Sequence, residues 1–149
     1  MTAIQRFADY AAAFEKTFET DDFSHIEPFF TKDAVYEIFG GPPFAGLHEG
    51  RDAIFNYLKL SLDGFDRRFA TRALDVIEGP EERGDDAVWM RWRVVYTRPG
   101  LPDLAIEGEE TVEFDGTCIR RLEDRFTDDA SARTLAYFEE HGARLAEDL

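Results

Sequence analysis

Glu110 and Asp124 are carboxylates at positions of this 149-residue chain where strand alternation calls for apolar side chains. They lie in Leu104–Phe126, LAIEGEETVEFDGTCIRRLEDRF, which reads as two long strands joined at Asp115-Gly116-Thr117. One set of alternate positions holds Ile106, Gly108, Glu110, Val112 and Phe114, and the other holds Glu107, Glu109, Thr111 and Glu113. The first set is the face that can bury, because the second is almost wholly acidic. A carboxylate on a buried face is costly unless it has a partner or a task. Two of them near one another in an apolar setting cannot easily both ionise, so one holds its proton near neutral pH and can act as an acid. The alternative is structural, an ion pair with Arg120, Arg72 or another arginine.

Strand register places these groups relative to one another. If Arg98–Pro102 closes a simple antiparallel hairpin, facing residues have numbers that sum to about 200. Arg93 then opposes Glu107 and Arg91 opposes Glu109 on the outer face, while Trp92 opposes Gly108 and Met90 opposes Glu110 on the inner one. Opposite charges across a strand pair contribute about 0.2–1 kcal/mol each, so this register is self-consistent. With Asp115-Gly116-Thr117 as a three-residue turn, the last hairpin pairs Leu122 with Glu110, Asp124 with Gly108 and Phe126 with Ile106. Ile119 and Arg120 fit neither alternation, which predicts a bulge. Glu110 and Asp124 become diagonal neighbours, roughly 7–8 Å apart.

Other chemistry-bearing residues are scattered. His48 precedes Glu49 in a loop, and His25 and His141 have no ligand spacing to each other, so no metal site is expected. The sequence contains neither a phosphate-cradling glycine motif nor a nucleophile elbow, and no cofactor is implied. Tyr10, Tyr36, Tyr57 and Tyr96 are amphipathic groups able to orient a carbonyl or hydroxyl.

The elements that must carry these residues follow from periodicity. Ile4, Phe7, Ala8, Ala11, Phe14 and Phe18 recur at helical spacing over Thr2–Thr20. A short helix over Phe23–Phe30 is weakened by Pro28. Ala34–Phe39 alternates as a strand, a loop runs to Gly50, and Arg51–Leu62 is helical. Arg68–Glu78 and Ala87–Thr97 read as strands, the latter alternating Met90, Trp92, Val94 and Tyr96 with Trp89, Arg91, Arg93 and Val95. Leu135, Phe138 and Leu145 suggest a helix within Asp128–Leu149.

The formal net charge of −15 argues against nucleic acid and against an anionic membrane surface as partners. A hydrophobic fraction of 44% with 14 Phe supports one packed domain over 1–149, with a core of about 2–128 and a C-terminal helical extension of about 129–149. Cys118 stands alone, so no internal disulfide forms. The N-terminal stretch lacks a long apolar run, and the expected location is cytoplasmic.

The order helix, short helix, strand, helix, then four antiparallel strands resembles the nuclear-transport-factor-2-like superfamily, and within it the SnoaL-like proteins. Three stretches carry the resemblance: the passage from Asp22 through Phe30 to Glu37, the passage Phe44-Ala-Gly-Leu-His-Glu-Gly-Arg-Asp-Ala-Ile, and the hairpin Val112–Phe126. It spans nearly the whole chain before about Ala130. The resemblance implies an α+β, cone-shaped half-barrel, with a curved antiparallel sheet wrapped on three helices and an extra C-terminal helix. It also implies an apolar pocket. Tyr10, Phe14 and Tyr57 would line it from the helices, Tyr36 and Ile38 from the first strand, and His48 at its mouth. Met90, Trp92, Val94 and Tyr96 would form the second wall, and Gly108, Val112, Leu122 and Phe126 the third. The outer sheet face often makes a homodimer in the superfamily, and here that face carries Trp89, Arg91, Arg93, Glu107 and Glu109.

The superfamily includes ketosteroid isomerases, polyketide cyclases, a scytalone dehydratase, a limonene-epoxide hydrolase and proteins without catalysis, so fold does not settle function. Where a ketosteroid isomerase has its carboxylate base this chain has Ile38, and where it has its tyrosine this chain has Phe14. Only the protonated acid has a counterpart, Glu110, so that activity is not expected. Two readings remain open. One is a homodimeric binder of a small, mostly apolar molecule with cofactor-independent acid/base chemistry of isomerase, cyclase, dehydratase or epoxide-opening type, using Glu110 and Asp124. The other is a non-catalytic ligand-binding or dimerisation module.

Overall fold

The computed structural model describes residues 1–149. Helix α1, Ala3–Thr20, begins at a capping box in which Thr2 and Gln5 satisfy each other's free backbone N–H groups. It ends at Asp21 in the left-handed conformation. The expected short helix is two 3-10 turns, Phe23–His25 and Glu27–Phe29, because Pro28 cannot donate the bond that would continue an α-helix. Strand β1 runs Phe30–Phe39, and β2 is the short Gly46–Glu49. His48 therefore belongs to a strand, not to the loop that its glycine-rich surroundings suggested. Helix α2, Arg51–Gly64, and a 3-10 turn at Asp66–Arg68 precede four strands: β3 Thr71–Glu82, β4 Ala87–Thr97, β5 Leu104–Asp115 and β6 Cys118–Phe126. Helix α3 covers Asp128–Leu145, capped by Thr127.

The six strands form one curved, open sheet in the order β2-β1-β6-β5-β4-β3. All pairs are antiparallel except β1 with β6, which runs parallel, so the sheet is mixed. The parallel pair arises because the chain returns to β1 only after crossing the whole sheet. The β4–β5 register is the one that alternation predicts: Met90 faces Glu110, Trp92 faces Gly108 and Arg93 faces Glu107.

The last hairpin differs from expectation by two residues. Asp115 pairs with Cys118, so the turn is tighter than three residues, and the register steps once more between Glu113 and Phe114. Arg120 is the extra residue of that bulge, at the position where the alternation failed. Glu110 consequently faces Asp124, Gly108 faces Phe126 and Val112 faces Leu122. A shift of two residues leaves every side chain on its predicted face, so hydrophobic alternation could not have detected it.

The core divides into two clusters. The larger packs Phe7 and Tyr10 of α1 and Ile54 and Leu58 of α2 against the inner faces of β1, β4, β5 and β6. The smaller is built jointly by the sheet and α3, joining Tyr96, Leu104 and Ile106 to Ala130, Tyr137 and Leu145. On α3 the buried stripe runs through Ala130, Thr134 and Tyr137, leaving Leu135 exposed. Arg98 is buried and fastens the end of that helix by donating to the carbonyls of Leu145, Glu147 and Asp148. No helix is long and apolar enough to cross a membrane.

Candidate active site

The two helices α1 and α2 stand off the inner face of the sheet far enough to leave two adjoining chambers. The first has a volume of about 170 Å³ and lies between α1 and the strands, walled by Phe7, Tyr10, Phe14, Met90, Trp92 and Leu122 among others. The second, about 140 Å³, lies beneath α2 and carries Ile38, Phe44, Tyr57, Phe65, Ile106 and Phe126 in its wall. Phe14, Tyr36, Leu58, Trp92, Tyr96 and Asp124 border both. Asp124 is therefore at the junction, and Glu110 opens onto the first chamber.

The carboxylates are held from three strands. Asp124 is buried, and the Tyr36 hydroxyl on β1 donates to its Oδ2. Its other oxygen, Oδ1, is buried without a hydrogen-bond partner. Burial first, then the negative charge of the facing Asp124, push the Glu110 carboxyl well above the ordinary glutamate range. Burial also raises Asp124, to about 6, against the pull of the Tyr36 hydrogen bond and of the neighbouring Glu110 carboxyl. The pair thus splits into a retained acid, Glu110, and a group that ionises near neutral pH, Asp124. No arginine bridges them. Arg120 reaches Glu113 at 3.4 Å, and Arg72 pairs with Glu15 and Asp66.

The hydroxyl groups around the pair are held neutral. Burial raises the phenols of Tyr36 and Tyr10 well above the usual tyrosine range, and the carboxyl groups beside them add to it, Asp124 first for Tyr36 and Glu110 first for Tyr10. Burial likewise raises Tyr57 and Tyr96. Each can donate a hydrogen bond without becoming a competing anion.

Three residues expected in the pocket wall are elsewhere. Gly108 lies under the indole of Trp92, so closely that a β-carbon would sit 2.7 Å from Trp92 Cζ2. Val112 is fully buried within the larger core cluster. His48 stacks on Tyr57 at 3.9 Å between ring centroids, behind the chamber wall, where burial lowers its imidazole pKa. The rest are placed as follows: Tyr10, Phe14, Tyr36, Met90, Trp92, Val94, Tyr96, Leu122, Glu110 and Asp124 on the first chamber, and Ile38, Tyr57 and Phe126 on the second.

Sequence reasoning missed a second polar cluster. Asp66, on the 3-10 turn after α2, accepts a hydrogen bond from the Tyr96 hydroxyl at 2.9 Å and lies 3.2 Å from Arg72 Nε. Burial raises its carboxyl against the pull of Arg72. In the sequence Asp66-Arg67-Arg68 looks like a solvated turn, and only the closure of β3 onto α2 reveals it as wall. The even-numbered positions Arg72 and Leu74 carried the available signal, since β3 alternation puts both on the same face.

No curated protein matches the chain by sequence. Among solved structures it resembles an NTF2-like protein of unknown function from Burkholderia pseudomallei K96243, with a TM-score of 0.67 at 13% identity over 92% of this chain and 97% of that one. It also resembles TerC, co-crystallised with polyporic acid, with a TM-score of 0.61 at 18% identity over 92% and 95%. A third likeness is to SalBIII, described as an epoxide hydrolase/cyclase-like enzyme of pyran ring formation in salinomycin, with a TM-score of 0.60 at 18% identity over 85% and 93%. These likenesses concern the fold. The SnoaL-like domain profile matches residues 10–134, the span from the middle of α1 through α2 and the whole sheet with both carboxylates, and the chain belongs to that family.

Proposed function

We propose that this protein binds a small, mostly apolar molecule across the two chambers and transfers protons on it without a cofactor. Asp124 is the base and Glu110 the acid. The observation that carries the reading is their facing placement at the chamber junction with unequal proton affinities. Asp124 as carboxylate accepts a proton from the substrate while Glu110 delivers one to a substrate oxygen. The pair ends with Asp124 protonated and Glu110 ionised, and return of a proton from Asp124 to the facing Glu110 restores the starting state. Such a couple serves ring closure, epoxide opening, isomerisation or dehydration alike. Epoxide opening and cyclisation are favoured by the kinship with a cyclase-like fold relative and by a wall in which aromatic side chains predominate.

Homodimerisation through the outer faces of β4 and β5 belongs to the same reading, supported by the self-complementary rows of Arg91 and Arg93 beside Glu107 and Glu109. A single unpaired cysteine, Cys118, is compatible with the reducing cytoplasm.

Ile38 and Phe14, which bring no proton-transfer group to the wall, favour a second reading, a binder that does not turn its ligand over. Mass spectrometry of the natively purified protein, followed by turnover of the recovered ligand, separates the two. Under the catalytic reading Glu110→Gln and Asp124→Asn each lower turnover by about 100-fold or more. Unchanged turnover in Glu110→Gln discards the acid assignment. Recovery of a ligand that the protein never alters leaves the binding reading alone.

A further inference from the structure

Arg72 carries the only positive charge among the residues that line the two chambers. It stands on β3 opposite Tyr96, and Tyr96 is six residues along β4 from Met90, the partner of Glu110. The arginine and the carboxylate pair are thus anchored at opposite ends of one wall, yet the Arg72 charge still acts on Glu110 across the chamber.

Its guanidinium makes one hydrogen bond and one close charge contact, with Nε left without a hydrogen-bond partner. Nη1 donates to Glu15 Oε1 at 2.9 Å, and Nε lies 3.2 Å from Asp66 Oδ2, the oxygen that also accepts from Tyr96. The Phe18 ring covers it at 5.4 Å from the centroid. Neither contact uses Nη2, and the side chain is 14% exposed. Burying the charges of Arg72 and Asp66 for stability alone is a poor bargain, since apolar side chains of the same volume would serve as well or better. What the arrangement does provide is a guanidinium fixed in orientation, with two N–H groups uncommitted. An acceptor oxygen placed against them would meet no reorganisation cost.

We propose that Arg72 is a specificity-determining residue: its Nη2 receives a carboxylate oxygen of the bound molecule, remote from Glu110 and Asp124. The inference rests on the chambers being the ligand site, and it narrows the ligand class to an apolar skeleton with a carboxylate terminus. Glu15 and Asp66 leave this contact open, because their close approaches are to Nη1 and Nε.

The test compares 2-naphthoate with 2-methylnaphthalene at pH 7.5, read by quenching of Trp92, which borders both chambers. Transfer from water alone favours the hydrocarbon, so the opposite order diagnoses a polar anchor. The wild-type protein binds 2-naphthoate at least about tenfold more tightly. Arg72→Lys keeps a cation beside Glu15 and Asp66 but lacks Nη2, and it loses that advantage while binding 2-methylnaphthalene as before. Equal or tighter wild-type binding of the hydrocarbon overturns the assignment of Arg72 while leaving the chambers as a binding site. So does an undiminished advantage in Arg72→Lys. Binding of neither probe overturns both this inference and the proposed function. Should Arg72→Lys not fold, the wild-type order of affinities decides alone.

Discussion

Glu110 on β5 and Asp124 on β6 occupy facing positions of the ladder, and the Tyr36 hydroxyl on β1 donates to Asp124 from the other side. Three neighbouring strands therefore converge on one carboxylate, Asp124. The arrangement costs folding energy, because both carboxyls lie in an apolar wall, and that cost makes its consequences measurable.

The first concerns stability against pH. Asp124 has its carboxyl raised from 3.8 to about 6 on folding. A group with a higher pKa in the folded state favours the fold while it is protonated, and that contribution is lost as pH rises through the folded value. Ionised Asp124 thus costs stability at pH 7.5, by about 3 kcal/mol. Asp124→Asn should raise the thermal midpoint at pH 7.5 by about 6–12 °C and make little difference below the ordinary aspartate range. Melting curves at the two pH values check this, and a loss of stability at pH 7.5 would show Asp124 to be structural.

Tyr36 tunes the base. Its hydrogen bond favours the ionised form of Asp124 and so holds the carboxyl below where burial alone would put it. Tyr36→Phe should move the Asp124 titration upward by about one unit. Carbon-13 NMR of the labelled carboxyl resolves it. An unmoved midpoint would mean that the phenol does not stabilise the anion.

Gly108 protects the shape of the chamber. A β-carbon there would lie 2.7 Å from Trp92 Cζ2 and 3.2 Å from the Arg125 carbonyl. Gly108→Ala should push the indole toward the chamber and destabilise the protein by about 1–3 kcal/mol. Urea unfolding gives the energy, and a shifted Trp92 emission gives the displacement. Trp89, on the outer face under Arg83 at 4.6 Å, serves as an internal control.

The outer face makes its own prediction. The strand register is as the charges suggested, but Arg91 turns to Glu78 on β3, while Arg93 keeps Glu107 at 3.8 Å. Sedimentation at micromolar concentration should show a dimer, and Trp89→Glu should return it to monomer without changing the far-ultraviolet circular dichroism. A wild-type monomer would remove the dimer from the proposal.

Much of the frame was legible because its signals are periodic. The 3.6-residue stripe of α1, the alternation of β4 and the charge-matched β4–β5 register all follow from one face being wet and the other dry. The acidic outer row of β5 was enough to turn Glu110 inward. The bulge at Arg120 was legible too, as the place where alternation broke. Asp66 was not, since a carboxylate between a helix stop and two arginines looks solvated until β3 and β4 close over it.

By itself, then, the sequence determined which faces bury and that Glu110 and Asp124 share the inner one. A side-chain period of two determines a face and nothing finer. Whether those carboxylates lie diagonally or directly opposite depends on a two-residue difference in register, which turn geometry and the bulge decide in three dimensions. Tertiary structure also decided that β1 runs parallel to β6, bringing the Tyr36 hydroxyl to Asp124, and that Arg72, Asp66 and Tyr96 meet from three separate elements. Contacts between residues far apart in the chain leave no periodic mark, so only the closed fold could reveal them.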